Sequence, residues 1–99
     1  MRVEKVTIKN RKGQNVVVLL ELADKHKGLA FVMHGLGGFK EQDHIKTFAN
    51  AFKEEGLSVI RFDATNSLGE SGGKYEDATT TNYYEDLEDV IKWSANQDW

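Results

Sequence analysis

The stretch "LAFVMHGLGGFKEQ" (residues 29–42) decides the fold, because it joins a continuous apolar run to a glycine-rich loop. The apolar run, residues 29–33, is typical of a strand that is covered on both faces of a sheet. The loop, residues 34–42, contains three glycines and several polar residues. A strand, a loop and a following helix indicate the first half of a β-α-β unit, whose two strands run parallel.

The segment after this loop predicts that helix and a second buried strand. Apolar residues recur at the spacing of one helical face, and Gly56 suits the left-handed position that follows a helix. The next strand, "LSVIRF" (57–62), ends at Asp63. We expect the phenylalanines of this region to lie in the core, namely Phe31, Phe48, Phe52 and Phe62.

The flanking segments complete an α/β pattern. Before the glycine-rich stretch, an alternating segment around Val6 and the run "NVVVLLEL" (15–22) are separated by a turn at 10–14, which predicts an antiparallel hairpin. After Asp63, a polar loop leads to a second helix that we expect to begin near residue 81 or 82. The predicted fold class is therefore α/β. It has a mixed sheet, built from the antiparallel hairpin and the parallel β-α-β unit, with helices on both faces in one domain over 1–99.

Composition excludes several classes of function. The 99 residues contain no cysteine, which excludes disulfides, thiolate zinc sites and a cysteine nucleophile. The net charge of −3, without a basic patch, predicts no nucleic-acid partner, and no apolar run is long enough to span a membrane. The first residues lack the apolar core of a signal peptide, so we expect a cytoplasmic location. We expect no cofactor and no metal, since Asp43 and His44 lack a third ligand.

The segment "GESGG" (69–73) matches the G-x-S-x-G pattern of a serine nucleophile, with Ser71 at its centre. A nucleophile elbow requires a buried strand that runs directly into the turn, but the strand before this segment ends at Asp63 and polar residues flank the match. The chain order Ser…Asp…His is also impossible, because every histidine precedes Ser71: His26, His34 and His44. A triad of His34, Asp63 and Ser71 in another order is the alternative. We predict that Ser71 is not a nucleophile.

The segments "FVMHGLGG" (31–38) and "VIRFDATNSLGESGGKYED" (59–77), followed by an acidic helix, resemble the N-terminal part of the α/β-hydrolase superfamily. The chain is most similar to the branch with cinnamoyl (feruloyl) esterases and serine aminopeptidase-like hydrolases, over residues 3–96. The resemblance implies a serine hydrolase of small-molecule esters or amides, acting through an acyl-enzyme. In that family the loop corresponding to 69–73 is not the nucleophile, and the elbow follows on a fifth strand. The resemblance therefore implies an incomplete domain that is inactive alone.

The same resemblance implies roles for the glycine-rich loop. In the family, the backbone N–H after His-Gly donates to the oxyanion of the tetrahedral intermediate, which corresponds here to Leu36. Gly35 and Gly37 would let the backbone turn and approach the substrate. His34 and Asp63 would shape the loops and not react.

Two alternatives belong to other classes. A dinucleotide-binding fold would place a phosphate at Gly35-x-Gly37 and a ribose hydroxyl on Asp63, although Lys40 stands where the third glycine of the fingerprint belongs. A non-catalytic, self-associating fragment is the other alternative. In the family's strand order, residues 29–33 would form an open sheet edge, and such an edge pairs readily with another chain.

Overall fold

A computed structural model describes residues 2–25 and 27–99, so His26 lies outside the described residues. The described chain forms a four-stranded sheet, a single-turn 3₁₀ helix and two α-helices. The elements in chain order are β1 (Arg2–Lys9), β2 (Asn15–Leu22), β3 (Leu29–Met33), α1 (Asp43–Glu54), β4 (Ser58–Phe62), the 3₁₀ helix (Tyr75–Asp77) and α2 (Thr80–Ser94).

The sheet has the strand order β1-β2-β4-β3, so β4 lies between two strands that precede it in the chain. β1 and β2 form the predicted antiparallel hairpin, with Val6 opposite Val18. β4 pairs antiparallel with β2 and parallel with β3. The predicted mixed sheet is confirmed, and β3 and β1 are its two edge strands.

One helix packs on each face of the sheet, as predicted. Alternate residues of β4 point to opposite faces, so Ile60 joins the core under α2 while Val59 joins the core under α1. On the α2 face, Tyr83 and Val90 pack against alternate residues of β2 and β4. On the α1 face the core is smaller: Val32, Ile45, Ala49 and Val59. The strand ends that carry His34 and Asp63 therefore emerge between two packed layers.

The start of α2 differs slightly from the prediction, because a capping box fixes it at Thr80. The Thr79 hydroxyl accepts a hydrogen bond from the Asn82 backbone N–H at 3.0 Å, and the Asn82 side-chain oxygen accepts from the Thr79 N–H at 2.8 Å. These bonds satisfy backbone donors that a helix N-terminus otherwise leaves free. Residues 75–77, which the sequence predicts to be loop, form the 3₁₀ helix.

The prediction that Phe48 and Phe52 lie in the core is wrong. Their side chains are 57% and 39% exposed, while Ile45 and Ala49 of the same helix are buried. Lys53 lies on the opposite flank of α1, where it forms an ion pair with Glu21 of β2. At 100° per residue, Phe48 and Phe52 therefore lie on the flank of α1 away from Lys53 and β2, which is the side of the sheet on which β3 lies.

Helix α2, on the other face of the sheet, also carries an exposed apolar residue on one flank. Arg11 of the β1–β2 turn binds Glu85 and Asp89 on one flank of α2, and Ile91 lies on the other flank with 42% of its surface exposed. We name Phe48, Phe52, Ile91 and the outer edge of β3 the open-edge surface.

No helix in residues 2–25 and 27–99 combines the length and the apolar character that crossing a bilayer requires.

Candidate active-site loop

The loop after β3 begins with a tight turn at the end of the sheet. The Gly38 backbone N–H donates to the Gly35 carbonyl at 2.9 Å, and Gly37 has a φ of +83°. A positive φ at the third residue identifies a type II turn over 35–38, and this position favours glycine. Gly35 itself does not adopt a positive φ, and no atom lies within 4 Å of the position a Cβ would take there. One side of the turn is therefore open.

The backbone amides of this loop are almost all engaged. Gly38 donates to Gly35, Phe39 donates to the Gln42 side chain at 3.3 Å, and Lys40 donates to Asp63 Oδ1 at 2.7 Å. The Gly37 amide lies against the hydroxyl of Tyr83. Within residues 36–40 of the described chain, the Leu36 N–H has no acceptor, and the Gly37 N–H has no partner beyond its contact with the Tyr83 hydroxyl. The Leu36 side chain is 59% exposed, so this turn faces solvent.

His34 is buried beneath the turn with both ring nitrogens engaged. Its Nε2 accepts a hydrogen bond from the Ala64 backbone N–H at 3.0 Å, which assigns the proton to Nδ1. Nδ1 then donates to the Gly35 carbonyl at 2.9 Å. The ring also packs edge-to-face against Tyr83, with centroids 5.3 Å apart. His34 thus ties the turn after β3 to the backbone after β4.

Asp63 connects the same two loops through its carboxylate. Oδ1 accepts from the Lys40 N–H, and Oδ2 accepts from Lys40 Nζ at 2.7 Å and from the Glu70 N–H at 2.9 Å. The Lys40 side chain is 1% exposed, and its Nζ also binds Glu70 Oε1 at 2.7 Å. Arg61 Nη1 donates to the Lys40 carbonyl at 2.8 Å. Lys40 is therefore held by its side chain, its amide and its carbonyl.

The pKa directions indicate that this buried group stays ionised. Burial alone would lower the pKa of the Lys40 ammonium, but hydrogen bonds to Asp63 and Glu70 outweigh burial and raise it above its usual value. The hydrogen bond from Lys40, with a second from Lys5, lowers the pKa of Glu70. Charged partners thus neutralise one another where the two loops meet.

The segment 69–73 packs against Asp63 and β2. Ser71 Oγ donates to the Asp63 carbonyl at 2.5 Å and accepts from the Val17 N–H at 2.8 Å. A Cβ on Gly69 would lie 2.1 Å from the Asp63 Cγ, so only glycine fits there. The hydroxyl of Ser71 is thus occupied by backbone groups on both sides.

The structure brings most of the sequence-predicted residues to one end of the sheet. His34, Asp63 and Ser71 are all near the ends of β3 and β4, but no hydrogen bond joins any two of their side chains. His44, by contrast, lies on an exposed part of α1. Within the described ranges, no three potential ligand side chains gather as a metal ion would require.

Sequence reasoning missed Lys40 and Tyr83, which contact the loop directly. Their residue types carried no signal: a lysine in a polar loop is expected to be exposed, and a tyrosine in a helix stripe is expected to pack. The only usable sign was the short distance in sequence between Lys40 and the glycine-rich turn.

Comparison with protein families gives one match: the family described as acyl transferase, over residues 6–99. The comparison with curated proteins gives no match.

Comparison with solved structures gives likenesses of the fold. Est1E from Butyrivibrio proteoclasticus, in a structure with ferulic acid bound, matches with a TM-score of 0.85 at 24% identity, over 94% of this chain and 38% of that one. The α/β hydrolase GrgF from Penicillium sp. sh18 matches with a TM-score of 0.83 at 22% identity, over 98% and 33%. XC6422 from Xanthomonas campestris, an α/β serine hydrolase without a lid, matches with a TM-score of 0.81 at 23% identity, over 94% and 44%.

These likenesses confirm the α/β-hydrolase-like fold that the sequence predicted. The chain spans less than half the length of each of these three structures.

Proposed function

Because this chain belongs to the acyl transferase family, we propose that the complete protein transfers the acyl group of a small-molecule ester or amide through a covalent acyl-enzyme. A serine hydroxyl attacks the acyl carbonyl carbon, and the alcohol or amine leaves with the proton that a general base took from the serine. The O–H of an acceptor then attacks the acyl-enzyme and restores the serine. With water as the acceptor, the reaction is the hydrolysis expected from the sequence.

The unpartnered N–H of Leu36 is the observation that carries this proposal. Acyl transfer needs a fixed donor where the carbonyl oxygen becomes negative, and a backbone amide fixed by a tight turn needs no reorganisation. The neighbouring amides of the loop are engaged, and the side of Gly35 is open. Leu36 N–H therefore supplies one half of an oxyanion hole, and Gly37 sets the turn that presents it.

Ser71 serves as a structural residue in this proposal. Its proton is donated to the Asp63 carbonyl, and its lone pair accepts from Val17. His34 cannot act as its base, because Ala64 N–H occupies Nε2 and Nδ1 carries a proton bound to Gly35. The nucleophile, base and acid are supplied from beyond residue 99, and residues 1–99 alone are inactive.

Labelling with a fluorophosphonate probe, followed by peptide mapping, tests this assignment. We expect no adduct on Ser71 in the 99-residue chain, and a single adduct outside residues 1–99 in the full-length protein. Ser71→Ala in the full-length protein, as the matched variant, should leave the labelling stoichiometry unchanged. A stoichiometric adduct on Ser71 would contradict the assignment and make "GESGG" a working elbow.

The contacts of Asp63 count against the dinucleotide-binding alternative. Its carboxylate is 1% exposed and binds three N–H donors, so it cannot also accept from a ribose hydroxyl. The loop from His34 to Gln42 also delays α1 until Asp43, whereas a dinucleotide fold starts its helix within the glycine turn.

The open-edge surface favours a second property, self-association of the chain when it is alone. β3 has one unpaired edge, and the helices on the two faces of the sheet carry the exposed apolar residues Phe48 and Ile91. An exposed strand edge with apolar flanks pairs with another strand. We propose that a second copy of the chain occupies the open-edge surface when nothing else covers it.

Sedimentation velocity over a concentration series tests self-association of the 99-residue chain. Phe48→Glu places a charge on the open-edge surface. We expect the dissociation constant of the dimer to rise about 10–100-fold, because about 1.5–3 kcal/mol of apolar burial is lost. Val3→Glu is the matched control, because Val3 is 59% exposed on the opposite edge strand β1. A monomer at every concentration, or an equal effect of both variants, would contradict this surface.

A further inference from the structure

The 3₁₀ helix after the "GESGG" segment places a tyrosine beside the active-site loop. The hydroxyl oxygen of Tyr75 lies 3.3 Å from the position that a Cβ would take on Gly37. Gly37 follows Leu36 in the type II turn, so the phenol contacts the same turn that carries the unpartnered backbone N–H. Half of the Tyr75 side chain, 48%, is exposed.

A second tyrosine at the same turn has its hydroxyl occupied. Tyr83 is buried, donates its O–H to the Asn66 carbonyl at 3.4 Å, and has the Gly37 amide against its oxygen. Burial chiefly raises the pKa of the Tyr83 phenol, and the nearby Tyr75 adds to this rise. The two hydroxyls are therefore close enough to interact, but only one of them is committed to the protein.

Tyr75 is the uncommitted one. Its hydroxyl makes no hydrogen bond with any residue in the ranges 2–25 and 27–99. The Ala78 N–H donates to the Tyr75 carbonyl at 3.0 Å, which closes the 3₁₀ turn and fixes the backbone that carries the ring. Two free donors therefore belong to this turn: the backbone N–H of Leu36 within it and the phenolic O–H of Tyr75 against Gly37.

We propose that Tyr75 is a catalytic residue whose hydroxyl donates a hydrogen bond to the same carbonyl oxygen that Leu36 N–H binds. This inference rests on the proposed acyl transfer. When the nucleophile adds to the carbonyl carbon, the C=O π electrons move onto the oxygen, and both donors bind the resulting oxyanion more strongly than the neutral carbonyl. Tyr75 keeps its proton throughout, so the step needs no further acid or base.

The missing side chain of Gly37 has a second purpose in this arrangement. A Cβ there would lie 3.3 Å from the Tyr75 hydroxyl, so the hydroxyl would have to shift by a few tenths of an ångström. The φ of +83° favours glycine at this position, and the missing Cβ also leaves room for the phenol.

The test is Tyr75→Phe in the full-length protein, assayed with p-nitrophenyl acetate and with a trifluoromethyl ketone inhibitor. Phenylalanine keeps the ring and removes only the hydroxyl. We expect kcat to fall about 10–100-fold at unchanged KM, and the inhibition constant of the ketone to rise by the same factor. Tyr84→Phe removes the same group from a tyrosine that is 63% exposed on α2, and should change neither quantity.

The outcomes separate this inference from the proposed function. A normal kcat and ketone affinity in Tyr75→Phe would overturn the role of Tyr75, and so would a loss confined to KM or to the unfolding midpoint. If Leu36→Pro is impaired while Tyr75→Phe is normal, only the role of Tyr75 fails. A full-length protein that neither cleaves the ester nor binds the ketone overturns both.

Discussion

Replacing Leu36 with proline in the full-length protein is expected to lower kcat about 10²–10³-fold, the usual effect of removing one oxyanion donor. Proline lacks the backbone N–H but adopts a φ near −65°, which suits the second residue of a type II turn. The hydrogen bond from Gly38 to Gly35 does not involve the Leu36 amide, so the turn should persist. The substitution therefore removes the donor and keeps the shape of the loop.

The matched control is Leu36→Ala, which removes the exposed side chain and keeps the amide. We expect it to alter KM more than kcat, because an exposed side chain at the proposed oxyanion site would contact substrate equally in the ground state and in the transition state. Steady-state kinetics on one ester substrate measures both variants, and thermal unfolding verifies that proline has not opened the turn. Equal kcat values for the proline and alanine variants would mean that Leu36 N–H is not an oxyanion donor.

The second large effect is expected for stability: Lys40→Met should lower the free energy of unfolding by about 3–5 kcal/mol. The substitution preserves most of the buried volume but leaves the carboxylate of Asp63 without its cation. That carboxylate is 1% exposed and cannot rehydrate in place, whereas Glu70 is half exposed and can. Urea denaturation followed by circular dichroism measures the change.

Two further variants make this prediction sharp. Lys46→Met is the matched control, because Lys46 is half exposed and its ion pair with Glu41 is long, at 3.8 Å. Losing this surface pair should lower the free energy of unfolding by under about 1 kcal/mol. Adding Asp63→Asn to Lys40→Met should recover part of the loss, because a neutral amide costs less to bury unpaired. Strictly additive effects of the two substitutions would show that Lys40 and Asp63 are not coupled.

Much of the fold was predictable, because hydrophobic period and turn residues act locally. The hairpin followed from alternating apolar residues around a glycine turn, and the parallel unit followed from the apolar run at 29–33 and the helix after it. The expected start of α2 was one or two residues too late, because the apolar period of the helix does not reveal the capping box at Thr79. Periodicity assigned Phe48 and Phe52 to a helical face but could not show that the sheet ends beside that face.

The candidate site was less predictable, since its contacts join segments far apart in sequence. The roles of Leu36 and His34 were predicted from a resemblance to a family. The local sequence alone is equally compatible with a plain strand-to-helix turn. The burial of Lys40 depends on two carboxylates that follow it by more than twenty residues. Tyr75 reaches Gly37 only because the loop after β4 folds back over the turn after β3. None of these long-range contacts produces a periodic pattern in the sequence.

The position of β4 in the middle of the sheet constrains how a nascent chain can fold. β2 and β3 leave the ribosome well before β4, yet neither can make its native central pairing until Phe62 has been synthesised. Until then the chain holds a two-stranded ribbon, marginal in water, and an apolar segment with no partner. We therefore expect the insertion of this late strand between two early ones to be the slow step of folding, because it is a long-range closure that local helix formation cannot replace. A pause in synthesis before β4 would leave strands with unpaired edges exposed. We expect chaperones to bind the nascent chain most at that stage.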